Sequence, residues 1–429
     1  MALEPKVFKA YDVRGLYPSE LDEDGAYAIG RAYVEQFEPR KIAVGRDVRL
    51  SSPAMAAAIV RGAAAGGAEV IDIGMVGTEM LYFAVGDLDL DGGVMVTASH
   101  NPKEYTGMKI VRRGALPVGG DSGLLDIRDR ALALTDTSGH DPAGAKALDI
   151  YPAFVEKVLS FVDVEVIGPL RVVIDAGNGM AGAMLPPILD RLPVQAVRCF
   201  FEPDGTFPNH EPNPLLPENR EFIVSKVLQE GADLGIAFDG DADRCFFVDD
   251  TGEFVPGDFI TALLAESLLE KEPGAKIIYD VRASWAVPDT VKRAEGIPLV
   301  NRVGHAFIKL RMREEGALFA GEVSGHYYFR DFNQADSGTI PALLVLELLS
   351  KRGKRLSELL RPYRERYFLT GEINTPVPDV ALKLQELKEH FAGQGEISHL
   401  DGISVTAENW HLNVRPSNTE PLLRLNLEA

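Results

Sequence analysis

The chain has 429 residues, too many for one ordinary hydrophobic core, so two to four domains are expected. Apolar residues make up 46% and charged residues 25%, ordinary globular values, and no apolar run reaches the roughly 20 residues that span a bilayer. With 64 acidic against 44 basic residues the formal charge is −20, which argues against nucleic acid and anionic membrane surfaces as partners. A phosphorylated small molecule fits only where Arg, Lys and His gather locally.

The chain opens Met-Ala-Leu-Glu-Pro-Lys-Val-Phe, without a basic region leading into an apolar stretch, so no secretory signal is expected. Only Cys199 and Cys245 occur; two cysteines make no disulfide framework, and a reducing cytoplasm is the simplest location. Strand-like runs at 41–44, 94–97, 172–175, 234–238, 276–280 and 318–320 alternate with amphipathic helical stretches at 26–37, 54–65, 221–230, 258–271 and 340–351. That alternation predicts layered α/β domains. A degenerate repeat runs through it: Ile42-Ala-Val-Gly-Arg-Asp47, Val172-Val-Ile-Asp175 and Ile277-Ile-Tyr-Asp280 are apolar strands ending in aspartate. Each is followed by a second strand opening into a polar loop, at Thr97, Asp239 and Gly321. After about residue 366 come short strand-like segments (367–375, 403–406, 411–414, 422–427) and one helical run, 381–391, a smaller α+β domain. The expected boundaries are 1–147, 148–249, 250–365 and 366–429.

Four loops carry chemistry. Thr97-Ala-Ser-His-Asn-Pro102 follows a buried strand, and Ser99 reads as an exposed hydroxyl with Lys109 and Arg113 near in sequence to supply positive charge. The alternative is a strand-to-turn junction with local Ser and Asn hydrogen bonds. Asp239-Gly-Asp-Ala-Asp-Arg244 sets three carboxylates at alternate positions, a costly crowding unless a cation binds between them. Oxygen-only donors select a hard ion, magnesium or calcium. An EF-hand fails on context: the sixth position lacks glycine, and Asp250 stands where the bidentate Glu belongs. Arg244 beside the cluster favours phosphate chemistry. The alternative is a solvated acidic turn. Gly321-Glu-Val-Ser-Gly-His326, read as extended, points Glu322, Ser324 and His326 one way, a set suited to sugar hydroxyls. Arg415-Pro-Ser-Asn-Thr-Glu-Pro421 can surround a phosphate with donors, or be a Pro- and Asn-rich turn. A fifth segment, Gly177-Asn-Gly-Met-Ala-Gly182, fits the dinucleotide pattern, with Glu202 about twenty residues on, and is the case for an NAD-dependent oxidoreductase. It leaves the other loops unexplained.

Together the four loops resemble, in order and over essentially the whole chain, the α-D-phosphohexomutase family in its phosphomannomutase/phosphoglucomutase branch. The resemblance implies three related α/β domains and a smaller α+β domain around a central cleft. It implies a phosphohexomutase that interconverts hexose 1- and 6-phosphates of mannose or glucose through a phosphoserine and a hexose 1,6-bisphosphate. Ser99 looks like the phosphoserine; Asp239, Asp241 and Asp243, with a phosphoserine oxygen, look like the Mg2+ site. Glu322, Ser324 and His326 look like the sugar loop, and Arg415, Ser417, Asn418 and Thr419 like the phosphate clamp. Ala10-Tyr-Asp-Val-Arg-Gly15 places Tyr11 and Arg14 in the site, and Lys109, Arg244, Arg282 and His305 match substrate-lining positions, Lys109 and His305 as candidate acid/base groups. Val323 stands where many members have Met, and Arg282 where some have Lys. A phosphoglucosamine mutase shares the Ser-Gly-His ending, although its catalytic loop usually opens with Ser rather than Thr97; a non-catalytic sugar-phosphate-binding homologue is the other alternative.

Overall fold

The structure is a computed structural model that describes residues 2–135, 145–417 and 422–429. It contains two compact units, Met1–Phe254 with Asp331–Arg355, and Val255–Arg330 with Leu356–Ala429.

The first unit carries two sheets. In one, the strands Val13–Leu16, Tyr105–Arg112, Gly92–Val96, Lys41–Arg46, Glu69–Met75 and Lys146–Ala147 lie in that order. Lys41–Arg46 pairs parallel with both neighbours, whereas Gly92–Val96 and Tyr105–Arg112 pair antiparallel, with Met95 opposite Lys109. The helix Glu23–Phe37 starts where Asp22 accepts a hydrogen bond from the Gly25 N–H at 2.9 Å, and Ser52–Ala65 starts with a proline in its first turn. Their apolar residues Tyr27, Ile29, Tyr33, Met55 and Ile59 share one core with Ile42, Val44, Val94 and Val96 of the sheet. In the second sheet Cys245–Asp249, Leu234–Phe238, Arg171–Asp175 and Gln195–Cys199 are neighbours in that order. Leu234–Phe238 is parallel to Arg171–Asp175 and forms a hairpin with Cys245–Asp249, Phe238 facing Cys245. The six residues 239–244 are therefore a hairpin loop.

The second unit repeats the plan. Lys276–Asp280 lies between Ile297–Asn301 and Phe319–Gly321, all parallel, and Phe319–Gly321 turns back into Tyr327–Phe329 with Gly321 opposite Tyr327. The repeat expected from sequence is thus a shared topology: a parallel pair whose second strand enters an antiparallel hairpin, the hairpin loop carrying the polar motif. Buried on both faces, the strands Gly92–Val96 and Leu234–Phe238 read as continuous apolar runs. The remaining sheet is antiparallel, in the order Ile373–Pro376, Leu422–Glu428, His411–Pro416, Ile403–Thr406 and Glu396–Ser398, with the helix Val380–His390 near its core of Ile403, Val405, Leu412, Val414 and Leu423.

One expectation changes. The strand expected over 367–375 is reduced to Ile373–Pro376, because Gly371 has φ +70° and breaks the extended run. The dinucleotide-like glycines serve the chain's own packing. A Cβ on Gly182 would lie 2.0 Å from the Phe201 carbonyl oxygen, and one on Gly179 2.7 Å from that of Gly240. The space a pyrophosphate needs is filled by backbone, and the Met180 N–H donates to the Gly240 carbonyl at 3.0 Å.

The segment Asp331–Arg355 packs within the first unit. Its helix Thr339–Arg352 supplies Glu347 and Ser350 as acceptors for the N–H groups of Asp163 (2.8 Å) and Gly168 (2.9 Å). At its start, Ser337 and Thr339 donate their hydroxyls to Glu79, which lies wholly buried at the beginning of the helix Thr78–Asp87. Burial pushes the Glu79 carboxyl up to about 8, outweighing the hydrogen bonds that favour its charge. The folded chain keeps this proton after the unfolded chain has lost it, so stability present below pH 4.5 is lost as pH rises towards 8. Glu79→Gln should remove that slope: relative to wild type, its stability should climb between pH 5 and 8 by on the order of 1 kcal/mol per pH unit at most. Urea unfolding at three pH values checks this, and a difference that does not vary with pH counts against it.

Candidate active site

Ser99 sits in the connection between Gly92–Val96 and Tyr105–Arg112. It is not the exposed hydroxyl expected from sequence: the residue is 4% exposed, and its hydroxyl donates to Asp239 at 2.9 Å with the His100 Nδ1 3.1 Å away. Its backbone is left-handed at φ +49°, a conformation unfavourable for a residue with a Cβ. Ala242 in the facing loop is also left-handed, at φ +60°. The two loops touch so closely that a Cβ on Gly240 would lie 2.6 Å from the Ser99 carbonyl oxygen.

The three aspartates converge as expected. Asp239, Asp241 and Asp243 are buried, each with a carboxylate oxygen within 4.8 Å of the others'. The Lys109 ammonium donates to Asp241 at 2.8 Å and to Asp243, while the Arg244 Nε donates to Asp239 at 2.9 Å. Burial opposes the charge on Lys109, but Asp241 and Asp243 outweigh it and hold the ammonium's pKa above its usual value. Asp241 is correspondingly depressed by Lys109 despite its burial, whereas burial and the neighbouring Asp241 push Asp243 well up. Asp241 is fixed from another side by Thr78, whose hydroxyl donates to its Oδ2 and whose N–H donates to its carbonyl at 3.0 Å. The Asp241 Oδ1 is buried with no hydrogen-bond partner among the described residues. An oxygen-only donor set with one orphaned carboxylate oxygen fits a hard divalent cation.

Arg14 donates to the Asn101 side chain at 2.7 Å and pairs with Asp12, which ties the opening segment to the serine loop. Tyr11 is half-buried in the bend before Val13–Leu16. Arg113, expected to lend charge to Ser99, instead pairs on the surface with Asp89 and Asp91. Burial, together with Arg244 and Arg14, lowers His100 well below its ordinary value, so a neutral imidazole stands beside the serine.

In the second unit, Glu322–His326 forms a tight hairpin loop, not the extended stretch expected: Gly325 has φ +82° and its N–H donates to the Glu322 carbonyl at 3.0 Å. Glu322 consequently turns inward, accepting from the Gly304 N–H at 2.9 Å and from the Tyr328 hydroxyl. Burial and Asp280 raise its carboxyl to about 6. Ser324 and His326 hydrogen-bond each other at 2.9 Å, and the His305 and His326 rings stack at 6.3 Å. Arg282 forks onto Asp280 through two contacts of 2.9 Å and lies 3.8 Å from Glu372. Glu372 is held in turn by Arg424 at 2.8 Å, and Arg424 reaches Ser417 at 3.4 Å. Arg415 faces Arg424 across the ladder, and burial with the nearby Arg282 lowers its pKa. Asn418 and Thr419 lie outside the described residues. Thr78, His100, Glu372 and Arg424 were not singled out from sequence. Only His100 had a signal there, its place beside Ser99.

A hydroxyl held against a carboxylate cluster that favours a hard cation, with guanidinium groups alongside, is the chemistry of phosphoryl transfer. Four sequence profiles of phosphoglucomutase/phosphomannomutase match: alpha/beta/alpha domain I over residues 5–133, domain II over 152–252, domain III over 256–367 and the C-terminal domain over 372–429. A Xanthomonas campestris pv. campestris relative named for phosphohexose mutases is 48% identical over 423 residues, 98% of this chain and 94% of its own. A phosphomannomutase of Escherichia coli K12 is 45% identical over 434 residues, with the same coverage. The crystal structure of a phosphoglucomutase/phosphomannomutase family protein from Burkholderia thailandensis superposes with a TM-score of 0.90 at 33% identity, covering 100% of this chain and 94% of that one. The chain belongs to the phosphoglucomutase/phosphomannomutase family and is a hexose-phosphate mutase, an intramolecular phosphotransferase. Among the described residues no helix is long and apolar enough to cross a membrane.

Removing the Lys109 ammonium should leave Asp241 and Asp243 repelling one another. Lys109→Met is expected to lose about 3–5 kcal/mol of stability, the cost of breaking a buried ion pair. Millimolar MgCl2 should return a larger share of the melting temperature to this variant than it adds to wild type. Equal magnesium effects on both, read by differential scanning calorimetry, would contradict this account of the charge balance.

Proposed function

We propose that the chain interconverts hexose 1-phosphate and hexose 6-phosphate, with mannose and glucose as its sugars, by passing a phosphoryl group through Ser99. The observation that carries this reading is the Ser99 hydroxyl 2.9 Å from Asp239 within the buried cluster that also holds Lys109 and Arg244. Asp239, Asp241, Asp243 and an oxygen on Ser99 would hold Mg2+, which when bound draws negative charge off the phosphoryl oxygens. Arg244 and Lys109 add fixed positive charge at the same place.

In the first transfer the bond between phosphorus and the Ser99 oxygen breaks. A bond forms to the free hydroxyl of the hexose monophosphate, and that hydroxyl's proton passes by way of a base to the Ser99 oxygen left behind. The resulting hexose 1,6-bisphosphate then presents its other end and gives that phosphoryl group to Ser99, whose hydroxyl proton is returned to the sugar oxygen left behind. Lys109 and His305 are the candidate proton carriers, Lys109 as a donor only, since Asp241 and Asp243 hold it as an ammonium. Glu322 and Ser324, with His326 beside them, suit the sugar hydroxyls. Arg282, Arg415, Ser417, Asn418 and Thr419 suit the phosphate at the non-reacting end, and Tyr11 and Arg14 complete the set. A division into domains at 1–147, 148–249, 250–365 and 366–429 puts most of one sheet in each, the strand Phe254–Val255 of the second sheet falling past the boundary at 249. Two buried unpaired thiols, Cys199 and Cys245, accord with a reducing cytoplasm.

A coupled assay with mannose 1-phosphate, glucose 1-phosphate and glucosamine 1-phosphate, run with magnesium and a trace of hexose 1,6-bisphosphate, tests the reading. Mannose and glucose substrates should turn over, and Ser99→Ala should fall to background. Preference for glucosamine 1-phosphate would transfer the assignment to that substrate, and no turnover of any substrate by metal-replete, phosphorylated wild type would sink it.

A further inference from the structure

Arg49 belongs to none of the motifs above, yet it is among the largest fully buried side chains, at 1% exposure. A guanidinium is seldom buried so completely unless its donors are used. Here they are spent on one object, the backbone of the serine loop. Nη2 donates to the carbonyls of Ser99 at 2.8 Å and Asn101 at 2.6 Å, and Nη1 to those of Pro102 at 2.7 Å and Tyr105 at 3.2 Å. The counter-charge is Asp47, whose Oδ2 lies 3.2 Å from the Arg49 Nε. Asp47 is itself held by the Ser52 hydroxyl and by the Arg49 N–H at 3.0 Å. The Phe207 ring covers the guanidinium with its centroid 5.2 Å from Cζ.

Four carbonyls turned inward on one planar fork explain how the loop keeps its strained shape. Ser99 stands at φ +49°, where a residue with a Cβ is disfavoured, so something outside the loop must hold it there. The Arg49 contact is to the Ser99 carbonyl, while the Ser99 hydroxyl donates to Asp239. With its backbone fixed by the first contact, the serine is left to aim its hydroxyl by the second. We infer that Arg49 is a positioning residue for the phosphoryl-carrying serine: its guanidinium fixes the Ser99 loop from behind so that the hydroxyl faces the aspartate cluster. This rests on the reading of Ser99 as the phosphoryl carrier. Arg49 touches the loop's carbonyls and not the serine oxygen, so its effect falls on the transfer step and leaves sugar binding alone.

Arg49→Lys keeps the charge but lacks the planar fork that spans four acceptors. Asp47→Asn keeps the arginine and removes the group that orients it. For both, we expect KM for hexose 1-phosphate to stay within about twofold, while kcat falls roughly 10- to 100-fold, the scale of a small misplacement of a reacting group. Phosphoryl loading of Ser99 from hexose 1,6-bisphosphate, followed by intact mass, should slow by the same factor, with the lysine variant the slower of the two. If Arg49→Lys does not fold, the aspartate variant decides the matter by the same two readings. Unchanged kcat and loading in folded variants would overturn the inference, as would losses of KM and melting temperature without slower loading. If wild type itself never loads Ser99, the phosphoserine reading fails; if wild type loads and the variants match it, only the role of Arg49 fails.

Discussion

Three carboxylates in one buried loop are the constraint on which the first unit is built. Asp239, Asp241 and Asp243 contact the cations Lys109 and Arg244, and those five groups carry one negative charge in excess by formal count. At about 4 Å and an effective dielectric near 20, each like-charge pair costs roughly 4 kcal/mol. Within the loop Arg244 relieves part of this through Asp239, and the surroundings are arranged to sustain the rest. Gly240 lets the serine loop approach, Gly179 lets the strand-to-helix turn close from below, and Thr78 pins Asp241 through side chain and backbone together. A divalent cation would turn the excess to one positive charge, and a dianionic phosphoserine would return it to one negative. Metal and phosphoserine together therefore leave the formal charge where it stands with neither, whereas the phosphoserine without the metal would take it to three negative charges.

Legibility from sequence followed the distance along the chain over which a function is assembled. The aspartate cluster and the serine loop could be read because their chemistry is written in consecutive residues. Hairpin context added to this: a buried apolar strand before each loop marked where the polar residues would be presented. Where several segments cooperate, the reading failed. Thr78 and Asp241 are 163 residues apart, and Arg49 and Ser99 are 50 apart. Neither Thr78 nor Arg49 stands in a pattern that distinguishes it from a helix-starting threonine or a surface arginine. The misread exposure of Ser99 has the same origin, since the groups that bury it come from the second sheet. Arg113 was assigned by nearness in sequence, but it lies just past the end of the strand Tyr105–Arg112, in a short turn where two surface aspartates claim it. In the sugar loop, one glycine at φ +82° converts an expected extended run into a turn, and Glu322 faces the core rather than the same way as its neighbours.

The second unit treats its cations differently, and the difference bears on turnover. A chain with net charge −20 has acids to spare, and Arg282, to which the proposed function gives a phosphate, is already engaged by them. Arg282 forks onto Asp280 and approaches Glu372, and Arg424 closes the row from the other side of Glu372. On the proposed reading, a phosphate reaching Arg282 would exchange with, or settle beside, a carboxylate that is in place. The net gain on binding is the difference between two charge-assisted contacts rather than the whole of one. Two buried arginines without acids would bind a phosphate monoester tightly and release it slowly. If a bisphosphate presents first one end and then the other, as proposed, tight holding at the non-reacting end would be spent on the ground state and would not lower the barrier. If Arg282 holds that phosphate, its partial neutralisation would keep the orienting geometry of the fork while limiting the depth of the well, with Glu372, placed between Arg282 and Arg424, contributing to the limit.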